Sequence, residues 1–347
     1  MRIAAVASAF PAYHYDQKTL IEAFVRHWGA QMPDVRKLEL LHSSVGVDAR
    51  YLTLPLEEYP DLTFSKANDV WIQAAQDLGE QAIREALGRA GIDGSQLSAF
   101  FFVSVTGIAS PSIDARLVNR MKLPGNIKRI PIFGLGCVAG AAGIARAADY
   151  VRAYPDQYAV LLSVELCSLT LQRSDLSIAN LISSGLFADG AAAVIVAGDE
   201  CPAAGPEIIA TESSFYPNTE RVMGWDISET GFRIVLSPDV PAVIEKNLPG
   251  DVDRFLAANQ LERKDIGSWI LHTGGPKILR ATEQALNLSK DALRVSWDCL
   301  RRMGNLSSAS VLMVLEEKMT KRPLPGTWSI LAAMGPAFCS ELVLLRW

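Results

Sequence analysis

The chain of 347 residues predicts an α/β fold. An apolar stripe recurs at helical spacing over 70–90, and short apolar runs bounded by Gly alternate with such helices. The same plan then repeats beyond a break at 199–207 that carries two Pro and one Gly without periodicity. Alternating strands and helices imply parallel βαβ units, and their repetition implies an internal duplication.

Residues 3–10 form a short apolar run that Pro11 and the polar Tyr13-His14-Tyr15-Asp16 end at once, which suits a first buried strand better than a cleaved leader. The helix at 70–90 places Trp71, Ala74, Ala75, Leu78, Ala82, Ile83, Ala86 and Leu87 on one side, and Gly91 stops it. A buried strand at 99–105 and a helix at 112–121 follow. The strand at 129–135 then runs through Gly136-Cys137 into an Ala-rich helix reaching about 152, and a strand at 158–164 ends at Glu165. In the second half a strand at 265–271 ends in His272-Thr273-Gly274-Gly275, and a helix covers 277–286. Gly304-Asn305 opens a helix over 307–319, and a last strand at 328–333 precedes Gly335-Pro336. The halves are therefore 1–200 and 207–347, with polar turns expected to meet at a shared cleft.

Composition narrows the function. The chain is 49% hydrophobic and 20% charged, with 33 Lys+Arg against 38 Asp+Glu and a net charge of −5. The basic residues form no run or stripe, so nucleic acid is not expected as a partner. Five cysteines and four histidines lack the spacing of a zinc site, so no metal is expected. An odd number of cysteines reads as reduced thiols, with the cytoplasm as the default compartment. The longest uncharged stretch is Gly-rich and shorter than the ~20 residues of a membrane-spanning helix.

Phe133-Gly134-Leu135-Gly136-Cys137-Val138-Ala139-Gly140 places a cysteine where a strand turns into a helix, among free N–H groups and the positive end of the dipole, which favours a nucleophilic thiolate. Two other readings compete: a buried core thiol, and a dinucleotide fingerprint (Gly134, Gly136, Ala139) with Glu165 as the ribose acid. His272 stands alone among the histidines at the end of an apolar strand. Asn305 stands at a helix start, where a simple N-cap is the plainer reading. Together, however, cysteine, histidine and asparagine at three turns supply a thiolate, its proton partner and an amide donor for a carbonyl oxygen.

On these residues the chain resembles the type III polyketide synthases, the chalcone-synthase-like branch of the thiolase superfamily. The resemblance rests on Gly136-Cys137-Val138-Ala139-Gly140, Leu186-Phe187-Ala188-Asp189-Gly190, His272-Thr273-Gly274-Gly275-Pro276, Gly304-Asn305-Leu306-Ser307-Ser308-Ala309 and Gly335-Pro336. It implies a thiolase-like fold of duplicated αβαβα layered halves and a homodimer. It also implies a decarboxylative Claisen condensation of an acyl-CoA starter with malonyl-CoA, with no cofactor beyond the CoA thioesters. Cys137 carries the chain, and His272 and Asn305 face the malonyl thioester oxygen. The segments 163–170, 223–227 and 338–342 are similar to bacterial enzymes that make alkylpyrones or alkylresorcinols from fatty acyl starters.

Carried over by position, Phe187 matches a gatekeeper aromatic, and Ile234 stands where plant members have a second one. Thr106, Ser110 and Cys167 fall at tunnel positions, and Thr170 and Ser307 complete the expected substrate contacts. Arg36, Lys37 and Lys277 are the cations left for CoA, with Lys37 and Lys277 as the expected contacts. Ala337 replaces the second Gly of a common Gly-Pro-Gly. The alternatives are a single-condensation enzyme like ketoacyl synthase III, a papain-like Cys-His-Asn hydrolase, and an NAD-dependent dehydrogenase built on the 134–165 stretch.

Overall fold

The computed structural model describes residues 1–32, 34–289 and 291–347. The first half contains β1 (Arg2–Ala9), β2 (Tyr13–Asp16), α1 (Gln17–Trp28), α2 (Val35–Ser43), β3 (Ala49–Leu52), α3 (Phe64–Ala90) and β4 (Leu97–Ser104). It continues through α4 (Ile113–Met121), β5 (Lys128–Phe133), α5 (Ala139–Ala153), β6 (Tyr158–Leu166), α6 (Ile178–Leu186) and β7 (Asp189–Ala197). The second half contains β8 (Glu207–Phe215), β9 (Met223–Ser228), β10 (Gly231–Leu236), α7 (Val240–Ala258) and β11 (Ile266–Leu271). It ends with α8 (Pro276–Leu286), α9 (Arg294–Met303), α10 (Ala309–Thr320), β12 (Trp328–Gly335) and β13 (Cys339–Arg346).

Strand order shows the duplication directly. In the first half the strands lie side by side as β5-β4-β6-β7-β1, and in the second as β11-β12-β13-β8. In both halves a parallel pair (β4–β6, β11–β12) is followed by two antiparallel pairings (β6–β7 and β7–β1; β12–β13 and β13–β8). The second half lacks only a counterpart of edge strand β5. The halves join where Arg2 of β1 pairs with Glu207 of β8. The sheet is thus mixed: the expected parallel βαβ units are present in β4–α4–β5, while β12 and β13, joined by a short turn, and β6 and β7, joined through α6, pair antiparallel.

Helices α5 and α10 lie between the two halves of the sheet. α5 touches β4, β6 and β7 on one side and β12 and β13 on the other, while α3 covers the far face of the first half and α7 and α8 that of the second. This is the αβαβα layering of the thiolase-like fold. A helix packed on both sides must be apolar all round, and Ala139 through Ala145 are all buried. Its small residues are a geometric need, since a Cβ on Gly140 would lie 2.2 Å from the Ser308 carbonyl oxygen and one on Gly143 2.5 Å from Leu161. α3 begins earlier than the stripe predicts because Thr63 caps it, its side chain accepting from Lys66 N, and Gly91 ends it with φ +68°.

Candidate active site

Cys137 occupies a single 3₁₀ turn, Gly136–Val138, that runs straight into α5. Gly136 adopts φ +57°, and a Cβ there would meet Pro336 at 2.7 Å, so the turn is pressed against the loop after β12. His272 continues β11, its N–H bonded to the Ala332 carbonyl of β12 at 3.1 Å. Asn305 is held by its backbone: its N–H donates to the Leu186 carbonyl and its carbonyl accepts from Ala188 N–H, both at 2.9 Å. The Thr273 hydroxyl reaches the Gly304 carbonyl at 3.4 Å, tying the histidine loop to the asparagine loop.

Cys137, His272 and Asn305 face one cavity of 430 Å³, which Phe187 and Lys277 also line. The rest of its wall is largely apolar and comes from α2, α6, the β9–β10 hairpin, α7, α8, the ends of β11 and β12, and Phe338. That size and lining suit a small-molecule site. The Asn305 Oδ1 accepts from Ser307 N–H at 2.8 Å and from the Ser310 hydroxyl at 3.4 Å, so the NH₂ is the end offered to the cavity. The local turn thus fixes which end of the amide faces the cavity. His272 Nδ1 is buried without a hydrogen-bond partner among the described residues, leaving Nε2 as the nitrogen with access to the cavity.

Burial sets the protonation of the pair. It pushes the Cys137 thiol up to about 12, and the nearby Glu165 carboxylate acts in the same direction, while the Ser307 hydroxyl, 3.7 Å from Sγ, opposes it. Burial also pushes His272 down to about 4. In the free site both groups are therefore neutral at neutral pH, and the helix dipole does not by itself create the thiolate that the sequence suggests.

Phe187 separates the larger cavity from a smaller one of 60 Å³, which both it and Ile234, Cys167 and Thr170 line. Thr106 and Ser110 line neither. Thr106 is buried with its hydroxyl donating to Glu165 at 2.9 Å and accepting from Leu166 N–H at 3.0 Å, and Ser110 lies exposed before Pro111. Ser307, expected as a substrate contact, lines neither cavity and is buried with its hydroxyl beside the Cys137 sulfur, whereas Lys277 stands exposed at the cavity edge. Lys37 is exposed on α2, one and two turns before Leu41 and Ser44, which line the cavity. Arg36 is paired with Asp34.

Glu165 is fully buried and receives bonds from Val105 N–H and from the hydroxyls of Ser104, Thr106 and Ser308, which leaves no place for a ribose. The dinucleotide alternative fails on that point. Sequence reasoning missed Arg50, buried in β3 beside Phe187, and Trp225, which pairs across the hairpin with Ile234 and lines the smaller cavity. Alternation in Ala49-Arg50-Tyr51-Leu52, which puts Arg50 on the buried face with Leu52, was the available signal.

A buried thiol, imidazole and amide facing one apolar cavity of a duplicated αβαβα fold define the class of acyl-transferring condensing enzymes. Models of the N-terminal and C-terminal domains of chalcone and stilbene synthases match residues 1–200 and 207–347. The chain belongs to that family: it is a type III polyketide synthase, a malonyl-CoA-dependent enzyme of the acyltransferase type. It is 48% identical over 350 residues to the 1,3,6,8-tetrahydroxynaphthalene synthase of Streptomyces peucetius subsp. caesius, covering 99% of this chain and 93% of that one. The phloroglucinol synthase of Pseudomonas fluorescens is 31% identical, with 97% of each chain covered. The crystal structure of 1,3,6,8-tetrahydroxynaphthalene synthase from Streptomyces coelicolor A3(2) matches with a TM-score of 0.95 at 30% identity, over 100% of this chain and 99% of that one.

Proposed function

We propose that Cys137, His272 and Asn305 act as one unit that builds a poly-β-keto chain from malonyl-CoA and closes it to a polyhydroxylated aromatic product. The single observation that carries this reading is their convergence on the 430 Å³ cavity. The thiol proton passes to His272 Nε2 as Cys137 Sγ attacks the acyl-CoA carbonyl; the C–S bond to CoA breaks, and CoA leaves with the proton as its thiol. An unpartnered Nδ1 does not lock the tautomer, so Nε2 is free to accept this proton and later to donate. Malonyl-CoA then lies with its thioester oxygen toward His272 Nε2–H and the Asn305 NH₂, which stabilise the enolate as carbon dioxide departs. The enolate carbon bonds to the acyl carbon, the Cys137 C–S bond breaks, and the extended chain is left on CoA.

Two observations favour a polar polyketide. The relatives' names describe hydroxylated aromatics, in which oxygen on alternate carbons is the imprint of a poly-β-keto chain. The smaller cavity behind Phe187, whose wall mixes Arg50, Tyr59 and Asn180 with apolar residues such as Leu52, Leu56 and Trp225, measures only 60 Å³, little room for a long alkyl tail. A fatty acyl starter leading to an alkylpyrone or alkylresorcinol is the second reading, and the apolar lining of the larger cavity favours it. The reaction needs no cofactor besides the CoA thioesters, with Lys37 and Lys277 as the cations for CoA phosphates. Free thiols and family membership support a cytoplasmic enzyme. Among the described residues no helix is long and apolar enough to cross a membrane. Edge strand β5, with Phe133 58% exposed, supports a homodimer.

The test is incubation with labelled malonyl-CoA, alone and with a series of acyl-CoA starters, and identification of products by mass. Malonyl-CoA alone is expected to give a hydroxylated aromatic. Product formed only with long-chain acyl-CoA would favour the second reading, and absence of malonate carbon from any product would overturn both.

A further inference from the structure

The peptide Leu186–Asp189 is a strut with two loads. It carries the Phe187 ring between the two cavities, and its peptide groups on either side of Phe187 hold Asn305 in a short parallel bridge. The Phe187 carbonyl accepts from Arg50 Nη1 at 2.5 Å. Arg50 is 2% exposed. Its stem also lies against the other side of the bridge: Gly304 has φ +74°, and a Cβ there would be 3.2 Å from Arg50 Cδ and 2.8 Å from the Leu186 carbonyl oxygen. Arg50 therefore touches both segments that fix Asn305. Asp189, the nearby opposite charge, is anchored separately by Thr53 and Ser168 through their N–H and hydroxyl groups. Burying a guanidinium is costly, and Arg50 Nε is buried without a hydrogen-bond partner among the described residues. A residue serving packing alone would be better apolar.

We infer that Arg50 is a positioning residue for malonyl-CoA decarboxylation, acting through the strut to fix the Asn305 amide. This inference rests on the role given above to Asn305. The reaction that reads it is conversion of malonyl-CoA to acetyl-CoA and carbon dioxide, with the enolate carbon taking a proton from water.

The test compares wild type, Arg50→Met, Arg50→Lys, Asn305→Ala and the double variant Arg50→Met/Asn305→Ala. Asn305→Ala should lower kcat about 100-fold, the scale of one lost oxyanion donor. Arg50→Met is expected to lower kcat about 10-fold with KM for malonyl-CoA unchanged, as for a donor displaced rather than lost. Arg50→Lys, which keeps one donor for the Phe187 carbonyl, should recover part of that loss. The double variant should fall no further than Asn305→Ala, because Arg50 acts through Asn305. A wild-type kcat in Arg50→Met, or losses that multiply in the double variant, would overturn the inference. If Arg50→Met does not fold, Arg50→Lys alone and combined with Asn305→Ala is read in the same way. An unchanged rate in Asn305→Ala would instead remove the role given to Asn305.

Discussion

In the turn joining β12 to β13, Ala337 holds a left-handed backbone with φ +55°. That region costs an L-residue about 1–2 kcal/mol, whereas glycine carries an unfolded-state entropy penalty of about 0.5–1 kcal/mol. The strain outweighs the entropy, so Ala337→Gly should raise stability by about 0.5–1 kcal/mol, read by chemical denaturation. A loss of stability would show that the Ala337 methyl packs usefully. The neighbours of this turn explain its importance: Gly335 abuts Val138 N, and Pro336 presses on Gly136, on either side of Cys137 in the chain. Ser307 is the other strained residue at the site, at φ +47° with its hydroxyl beside the Cys137 sulfur. Backbone strain thus gathers around the thiol.

Helices α2 and α6 frame the cavity entrance and are pinned together by His42. Its Nε2 lies 3.0 Å from the Leu181 carbonyl, and its ring fills the space left by Gly185. Burial pushes His42 down to about 3. The folded state therefore refuses a proton that the unfolded chain takes up near its ordinary value of 6.5, so stability from this group is complete at neutral pH and is lost as pH falls below that value. Buried Glu165 and Asp189, both shifted upward, act with the opposite sign, so the effect is isolated by comparison with His42→Gln. From pH 7 to about pH 4.5 the wild type should lose about 2.5 kcal/mol more than the variant. Equal losses would contradict the neutral, buried imidazole. At this scale the sequence was readable where period or punctuation was strong, as in α3 and α5. It was opaque for β7, whose Ala-rich run is buried on both faces and has no alternation, and for α7, where Pro241 and Pro249 read as breakers. The β9–β10 hairpin was hidden because its strands are short and half-exposed.

For the molecule as a whole, duplication explains how residues far apart in sequence share one cavity: Cys137 and Asn305 stand just before the matching helices α5 and α10, His272 stands at the end of β11, and buried α5 and α10 lock the halves together. The cysteine, histidine and asparagine were legible because their chemistry is scarce and each stands at a turn. The cavity walls were not, since they depend on which hydroxyls the fold itself consumes. Thr106 is taken by Glu165, so it lies outside the cavities, whereas Arg50 and Trp225 enter the wall from a strand and a hairpin whose placement only the tertiary structure sets. At the heart of the proposed chemistry, Cys137 carries the growing chain. The most direct test of that role is intact-protein mass spectrometry with peptide mapping after brief exposure to an acyl-CoA. The expected result is one acyl group, labile to hydroxylamine, on the peptide containing Cys137, and none in Cys137→Ala. An adduct on Cys167 or Cys339 instead, or an unchanged adduct in Cys137→Ala, would contradict it.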